Sequence, residues 1–195
     1  MDTKKLTLAL MMGALGNVLF LLSFAMGQIA PGVAFDFSLI GVFIAGLYGG
    51  PAVGLTAGAI AGILPGIMFG PLGTGGVLGL IGLPIGKALT GLTIGLLGQG
   101  LRLHQRKHAS IMTIPTTIVS YVPEAVFTYF YFSYLLLLFL NQQVGTTIII
   151  TILAKAVVEV VIMSFIMASL IGNRGFTDFI KAHFAKTKNT KPNNA

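Results

Sequence analysis

Apolar residues fall into six blocks along the chain, at 6–26, 37–49, 51–69, 77–101, 111–139 and 147–172, with the polar residues gathered between them. A block of about 20 apolar residues is long enough to cross the ~30 Å hydrocarbon core of a bilayer as a helix. The second block is short for a crossing, and only the tight turn "YGGP" (48–51) separates it from the third. This patterning predicts an all-α integral membrane protein, a compact six-transmembrane-helix bundle over residues 1–172. A tail follows at 173–195. Its Phe176, Phe179, Ile180 and Phe184 recur at helical spacing, which predicts a short interfacial helix. From Thr187 onward the composition is polar and predicts disorder.

Charge gives the bundle an orientation. Lys4 and Lys5 precede the first block. Arg102, Arg106 and Lys107 lie between the fourth and fifth, and Arg174, Lys181, Lys186, Lys188 and Lys191 follow the sixth. Six crossings put these three regions on one side, and the opposite loops hold no lysine or arginine. By the positive-inside rule that side, with both termini, is cytoplasmic. The formal net charge of +7 is therefore topological, and no basic patch interleaved with aromatics points to nucleic acid. With 55% hydrophobic and 9% charged residues, the chain is too apolar for a domain wetted on every side. No Ala-x-Ala cleavage pattern follows the first block, which is read as a retained helix. The absence of cysteine excludes disulfides and thiolate metal sites.

Glycine recurs every four residues at Gly50, Gly54, Gly58, Gly62, Gly66 and Gly70, and the fourth block adds Gly79, Gly82, Gly86, Gly91, Gly95 and Gly98. Such ladders let helix backbones approach closely in lipid, and tight packing of blocks three and four is the preferred reading. Pro65 and Pro84 lie inside these blocks and bend them. A phosphate-binding reading fails on residues: Ile81 stands where a P-loop needs glycine, and Ala88 where it needs serine or threonine. In the first block Ala9, Gly13 and Gly16 share a small-residue face, which suits contact with a neighbouring helix of the same chain or docking to another membrane protein.

Four ionisable residues lie deep in the blocks: Lys87, Glu124, Lys155 and Glu159. Each costs roughly 2.5–3.5 kcal/mol at a bilayer centre on insertion scales, so they compensate one another or face water. At ~1.5 Å rise per residue, Lys87 lies about 15 Å below the outer end of its helix. Glu159 falls at a similar depth, Lys155 about 6 Å nearer the outside, and Glu124 near the middle of its helix. Polar companions share their faces: Tyr121, Thr128 and Tyr131 with Glu124, and Thr147 and Thr151 with Lys155 and Glu159. Pairing of Lys155 with Glu159, and a bridge between Lys87 and Glu124, are the structural alternatives to a hydrated ligand site. In the first outer loop, "GQIAPGVAFDFS" (27–38), Asp36 reads as a helix cap, and Gln28 and Asp36 alternatively close over a solute. His104 and His108 are helically spaced, but no carboxylate joins them, so no metal site is predicted.

Three stretches, "KKLTLALMMGAL" at the start, "FDFSLIGVFIAGLYGGPAVGLTAGAIAGIL" (35–64) and "IGKALTGLTIGLLGQGLR" (85–102), resemble the substrate-binding S components of energy-coupling factor (ECF) vitamin transporters. The resemblance implies a six-helix bundle in the cell membrane of a prokaryote, with a site open to the outside. That site is built from the first outer loop and helices 4 to 6. It also implies a small-molecule solute, a membrane coupling subunit and two cytoplasmic ATPase subunits as partners, and no cofactor. The family docks its partner through an Ala-x-x-x-Ala pattern on helix 1, which here reads Ala9-x-x-x-Gly13. The function then expected is capture of a vitamin-like polar metabolite for ATP-driven uptake, without enzymatic activity. Lys87 and Lys155 would meet carboxylate or carbonyl oxygens, Glu124 and Glu159 amine or hydroxyl donors, and Tyr121 and Tyr131 would stack or hydrogen-bond. A membrane sensor domain and a self-sufficient proton-coupled carrier are the alternatives.

Overall fold

The computed structural model describes residues 1–30, 33–73 and 75–184. Among the described residues five helices are long and apolar enough to cross a membrane: α1 (Thr3–Ala25), α3 (Pro51–Phe69), α4 (Gly76–Gly100), α5 (Ala109–Leu140) and α6 (Thr146–Gly172). Between α1 and α3 lies the shorter apolar α2 (Leu39–Gly49), and α7 (Arg174–Phe184) closes the described chain. Every predicted block is therefore a helix, with ends within a few residues of the hydrophobic pattern. One small β-hairpin interrupts the helical plan: Gln28–Ala30 pairs antiparallel with Val33–Ala34 in the loop between α1 and α2. The tail from Thr187, predicted disordered, lies outside the described residues. Large apolar side chains such as Leu22, Ile111, Leu138 and Phe165 face outward, as lipid contact requires.

Glycine sets how close α3 and α4 come. A Cβ on Gly54 would lie 2.1 Å from the Gly91 carbonyl oxygen, and one on Gly91 would lie 2.0 Å from that of Gly54. At Gly58 it would meet the Lys87 carbonyl oxygen at 2.3 Å, and at Gly62 the Pro84 Cα at 2.4 Å. The two backbones touch, and no side chain larger than hydrogen fits between them. This contact fixes the height and rotation of Lys87. Gly50, at φ 92°, makes the tight turn from α2 into α3, a conformation that disfavours any Cβ.

The helix α3 is broken at Gly62 into Pro51–Ala61 and Ile63–Phe69. Pro65 lacks an N–H, and its ring crowds the carbonyl four residues back, which opens the helix at that turn. Asn17 of α1 fills the opening. Its Nδ2 donates to the Ile60 carbonyl at 2.9 Å, and its Oδ1 accepts from the Leu64 N–H at 3.2 Å. Those are the two groups that would bond each other in an unbroken helix. An interior break in lipid survives only when its backbone groups find such partners.

The small-residue face of α1 points into the bundle. Ala9 is buried, a Cβ on Gly13 would lie 2.7 Å from Ile60, and one on Gly16 would lie 2.6 Å from Ala61. Of the two readings of Ala9, Gly13 and Gly16, contact within the chain and docking to another protein, this conformation shows the first, with α3 against that face. The outward face of α1 carries Leu10, Met11, Val18, Leu21 and Leu22 instead. At the same end of the bundle as the Arg102–Lys107 loop, α7 folds back. Its Phe176 ring packs edge-on against Tyr48 at 6.0 Å, Thr177 shares a 2.9 Å hydrogen bond with the Tyr48 hydroxyl, and Ile180 is buried.

Candidate functional site

Residues 35–38, which lead from the hairpin into α2, lie against α4 and α6. Asp36 Oδ1 accepts from the Ser38 N–H at 2.9 Å, a local turn that starts α2. Its other oxygen, Oδ2, meets Lys87 Nζ of α4 at 2.5 Å, and Lys87 also donates to Ser38 Oγ at 2.6 Å. The Asp36 backbone N–H donates to Glu159 Oε1 of α6 at 2.7 Å. One turn earlier in α6, Lys155 Nζ lies 3.2 Å from Glu159 Oε2. Asp36 therefore does not cap α2, whose N-cap position is Ser38; it forms the turn just before that helix and lies over Lys87.

The helix α5 supplies the remaining carboxylate. Pro123 has no N–H to continue the helix, which breaks at Tyr121 and restarts at Val122. Glu124 falls in the first turn after this break and is buried, where its Oε2 accepts a hydrogen bond from Thr90 Oγ1 of α4. In place of the alternative Lys87–Glu124 bridge there are two contacts, Lys87 with Asp36 and Glu124 with Thr90. The groups still act as one cluster. Lys87 lies within electrostatic reach of Asp36, Glu124 and Glu159, and Tyr121 within reach of all three carboxylates.

Burial works against a charge on Asp36. The Lys87 ammonium outweighs it, helped by hydrogen bonds from Lys87 and Ser38, and holds the carboxyl below its usual range. Towards the basic loop the cluster rests on Phe43, Ile94, Met163 and Met167, all fully buried. Two cations and three carboxylates from four separate segments therefore rest on apolar packing on one side and are covered by residues 35–38 on the other, with Asp36 and Lys155 still touching solvent. Such a set can offer donors and acceptors to a polar solute, once its internal pairs part. Among the described residues no group of three or more His, Asp or Glu side chains is placed to hold a metal ion.

The other predicted residues divide. Tyr121 and Tyr131 are buried, and the Tyr131 hydroxyl has no hydrogen-bond partner among the described residues. Thr128 is half-buried on the Glu124 face. Thr151 turns its hydroxyl back to the Thr147 carbonyl of its own helix at 2.8 Å and is not brought into the cluster. The Gln28 and His104 side chains lie outside the described residues. Sequence reasoning missed Ser38. Its signal was its position two residues after Asp36 at a helix start, where a serine is ordinarily read only as a cap.

A family model described as the ECF transporter substrate-specific component matches residues 4–171. The chain belongs to that family. Comparison with curated proteins and with solved structures gave no match. An ECF substrate-specific component is a substrate-binding membrane subunit of a transporter. In this one the matched range contains every residue of the charged cluster and ends before α7. The apolar outer surface and five spanning-length helices agree with a multi-pass membrane protein.

Proposed function

We propose that this S component captures a small polar, vitamin-like metabolite from outside a prokaryotic cell and releases it inward for uptake driven by partner subunits. The observation that carries this reading is the convergence of Lys87, Glu124, Lys155, Glu159 and Asp36 from four segments into one buried cluster closed by a loop. Structural ion pairs need only two residues. A five-membered set under a loop hinge is what a gated polar site requires. Lifting residues 35–38 separates Asp36 from Lys87 and frees Glu159 Oε1. The solute then meets Lys87 and Lys155 as cations, and Glu124 and Glu159 as acceptors, with Tyr121 and Tyr131 against it. Thr128 lies on the same wall, Gln28 belongs to the loop, and Thr151 sits on the outer turn of α6.

In this proposal α2 completes six crossings, both termini are cytoplasmic, and residues 1–172 form the binding domain. The basic regions at residues 4–5, 102–107 and 174–181 support that orientation, and residues 173–195 form a cytoplasmic tail. Energy comes from a membrane coupling subunit and two ATPases, because the chain carries no nucleotide motif. Docking through Ala9, Gly13 and Gly16 then requires α1 to part from α3. The test is native mass spectrometry of the purified chain with extraction of bound small molecules. A retained polar metabolite, lost on Lys87→Met, is expected. Uptake by this chain alone in liposomes under a pH gradient would overturn the partner requirement.

A further inference from the structure

We infer that the solute is an organic cation, carrying an ammonium or cationic heterocyclic group, and that Glu124 is its counter-ion. This rests on the reading of the cluster as the solute site. Two of the three carboxylates already face ammonium groups within hydrogen-bonding distance: Asp36 faces Lys87, and Glu159 faces Lys155. Among the described residues Glu124 has only the Thr90 hydroxyl at that range. Lys87 and Lys155 reach it electrostatically, but so does Asp36, with the opposite sign. With two ammoniums against three carboxylates, the fully ionised cluster would carry one excess negative charge, which either a proton on Glu124 or a cationic solute beside it cancels. An uncompensated charge away from water is costly. A cationic solute takes the place of that proton, a neutral one leaves the proton where it is, and an anionic one adds a further charge to be neutralised.

A second observation concerns the seam between α4 and α5 that rises from Glu124. The helix α4 presents Gly86, Gly82 and, just before its start, Gly75 to this seam. A Cβ on Gly86 would touch Glu124 Cγ at 3.4 Å and Phe127 Cδ1 at 3.6 Å, and one on Gly82 would lie 2.6 Å from the Tyr131 ring. The Phe127 and Tyr131 rings, 6.3 Å apart, thus line the seam above the carboxylate with no α4 side chain between. Beyond them the Tyr131 hydroxyl comes within 3.4 Å of the Gly75 Cβ position, buried and without a partner. Aromatic faces attract cations, and a buried hydroxyl without a partner is a vacant hydrogen-bonding position. A carboxylate, two rings and a vacant hydroxyl make a donor set for an organic cation.

The test is unfolding of the chain in nanodiscs against water-soluble vitamins grouped by charge at neutral pH. Thiamine and pyridoxamine represent the cations, riboflavin and pyridoxine the neutral solutes, and pantothenate and nicotinate the anions. Stabilisation confined to cationic members is expected. Glu124→Gln should weaken it by about 30-fold or more, as for removing one partner of a buried charge pair. Tyr131→Phe deletes a hydroxyl with no internal bond, so it folds, and it should weaken the same binding several-fold. Stabilisation by an anionic or neutral member that survives Glu124→Gln overturns the inference and leaves the site reading standing. Cation affinity unchanged in both variants overturns it too. No stabilisation by any member, with nothing co-purifying, removes the site reading and this inference together.

Discussion

Replacing Asp36 by asparagine tests the closed cluster at its hinge. Asparagine keeps an acceptor for the Ser38 N–H, and the Asp36→Asn backbone still donates to Glu159, so the change removes little beyond one charge. The Lys87 side chain is 4% exposed and that of Asp36 is 19%. The ammonium is left in the interior with the Ser38 hydroxyl as its close partner. Breaking a buried pair from one side costs about 3–5 kcal/mol. The low end applies here, about 3 kcal/mol, because Glu124 and Glu159 still reach Lys87 and Asp36 keeps some contact with water. Lys87→Met should cost less, about 2 kcal/mol, since a stranded Asp36 can turn towards water or take a proton. The double variant should then be less unstable than the sum by about 2 kcal/mol. Equilibrium unfolding in mixed micelles measures all four corners of the cycle. Additivity within about 0.5 kcal/mol would refute the pair as an energetic unit. The pH dependence has a definite sign. The folded carboxyl of Asp36 titrates below its unfolded value of about 3.9, so its contribution is complete above that pH. It is lost as pH falls through the folded value, and the gap between wild type and Asp36→Asn should close only on that acid side.

Two further substitutions test the frame that holds the cluster. Gly91→Ala drives a Cβ to within 2.0 Å of the Gly54 carbonyl oxygen and should cost about 1–3 kcal/mol or more, whereas Gly100→Ala meets open space and should be neutral; thermal unfolding of the pair in detergent decides. Asn17→Leu strands the Ile60 carbonyl and the Leu64 N–H and should cost about 1–3 kcal/mol, and adding Pro65→Ala should recover part of it by letting those two groups bond each other, with no recovery refuting the account of the break.

The helices were legible because lipid makes hydrophobicity nearly continuous along each crossing, and the ends of α3 to α6 follow directly. The glycine spacing foretold the α3–α4 contact, since a Cβ on Gly54 would lie 2.1 Å from the Gly91 carbonyl oxygen. The direction of the small face on α1 was not legible. Ala9, Gly13 and Gly16 have the same spacing whether they meet a neighbour in the chain or another protein. Asn17 was silent for a related reason: its role exists only because Pro65, 48 positions later, opens the turn it fills. In the cluster, depth arithmetic brought α4, α5 and α6 to one level. It had no means of placing Asp36, because a loop has no fixed rise per residue. The partners of Lys87 therefore came out differently, with the loop's carboxylate in place of Glu124.

That difference bears on how the site works. The backbone of α4 is fixed on one side by glycine contacts, and Lys87 lies on that fixed segment, its carbonyl against Gly58. If Lys87 paired with Glu124, both partners would belong to long packed helices, and opening the site would mean moving a helix. Paired with Asp36, its partner belongs to a short connection held, among the described residues, by polar bonds to Lys87, to Glu159 and within its own turn, and by Phe37 packed on the core. In the proposed function the access step then falls to the loop, while the glycine contacts hold α3 and α4 in place. The same division predicts that Gly91→Ala lowers stability by displacing the site, while Asp36→Asn raises the fraction of open loop with α3 and α4 unmoved. Hydrogen exchange separates the two. Faster exchange confined to residues 35–39 is expected for Asp36→Asn, and protection lost along α3 and α4 in that variant would contradict the loop as the moving part.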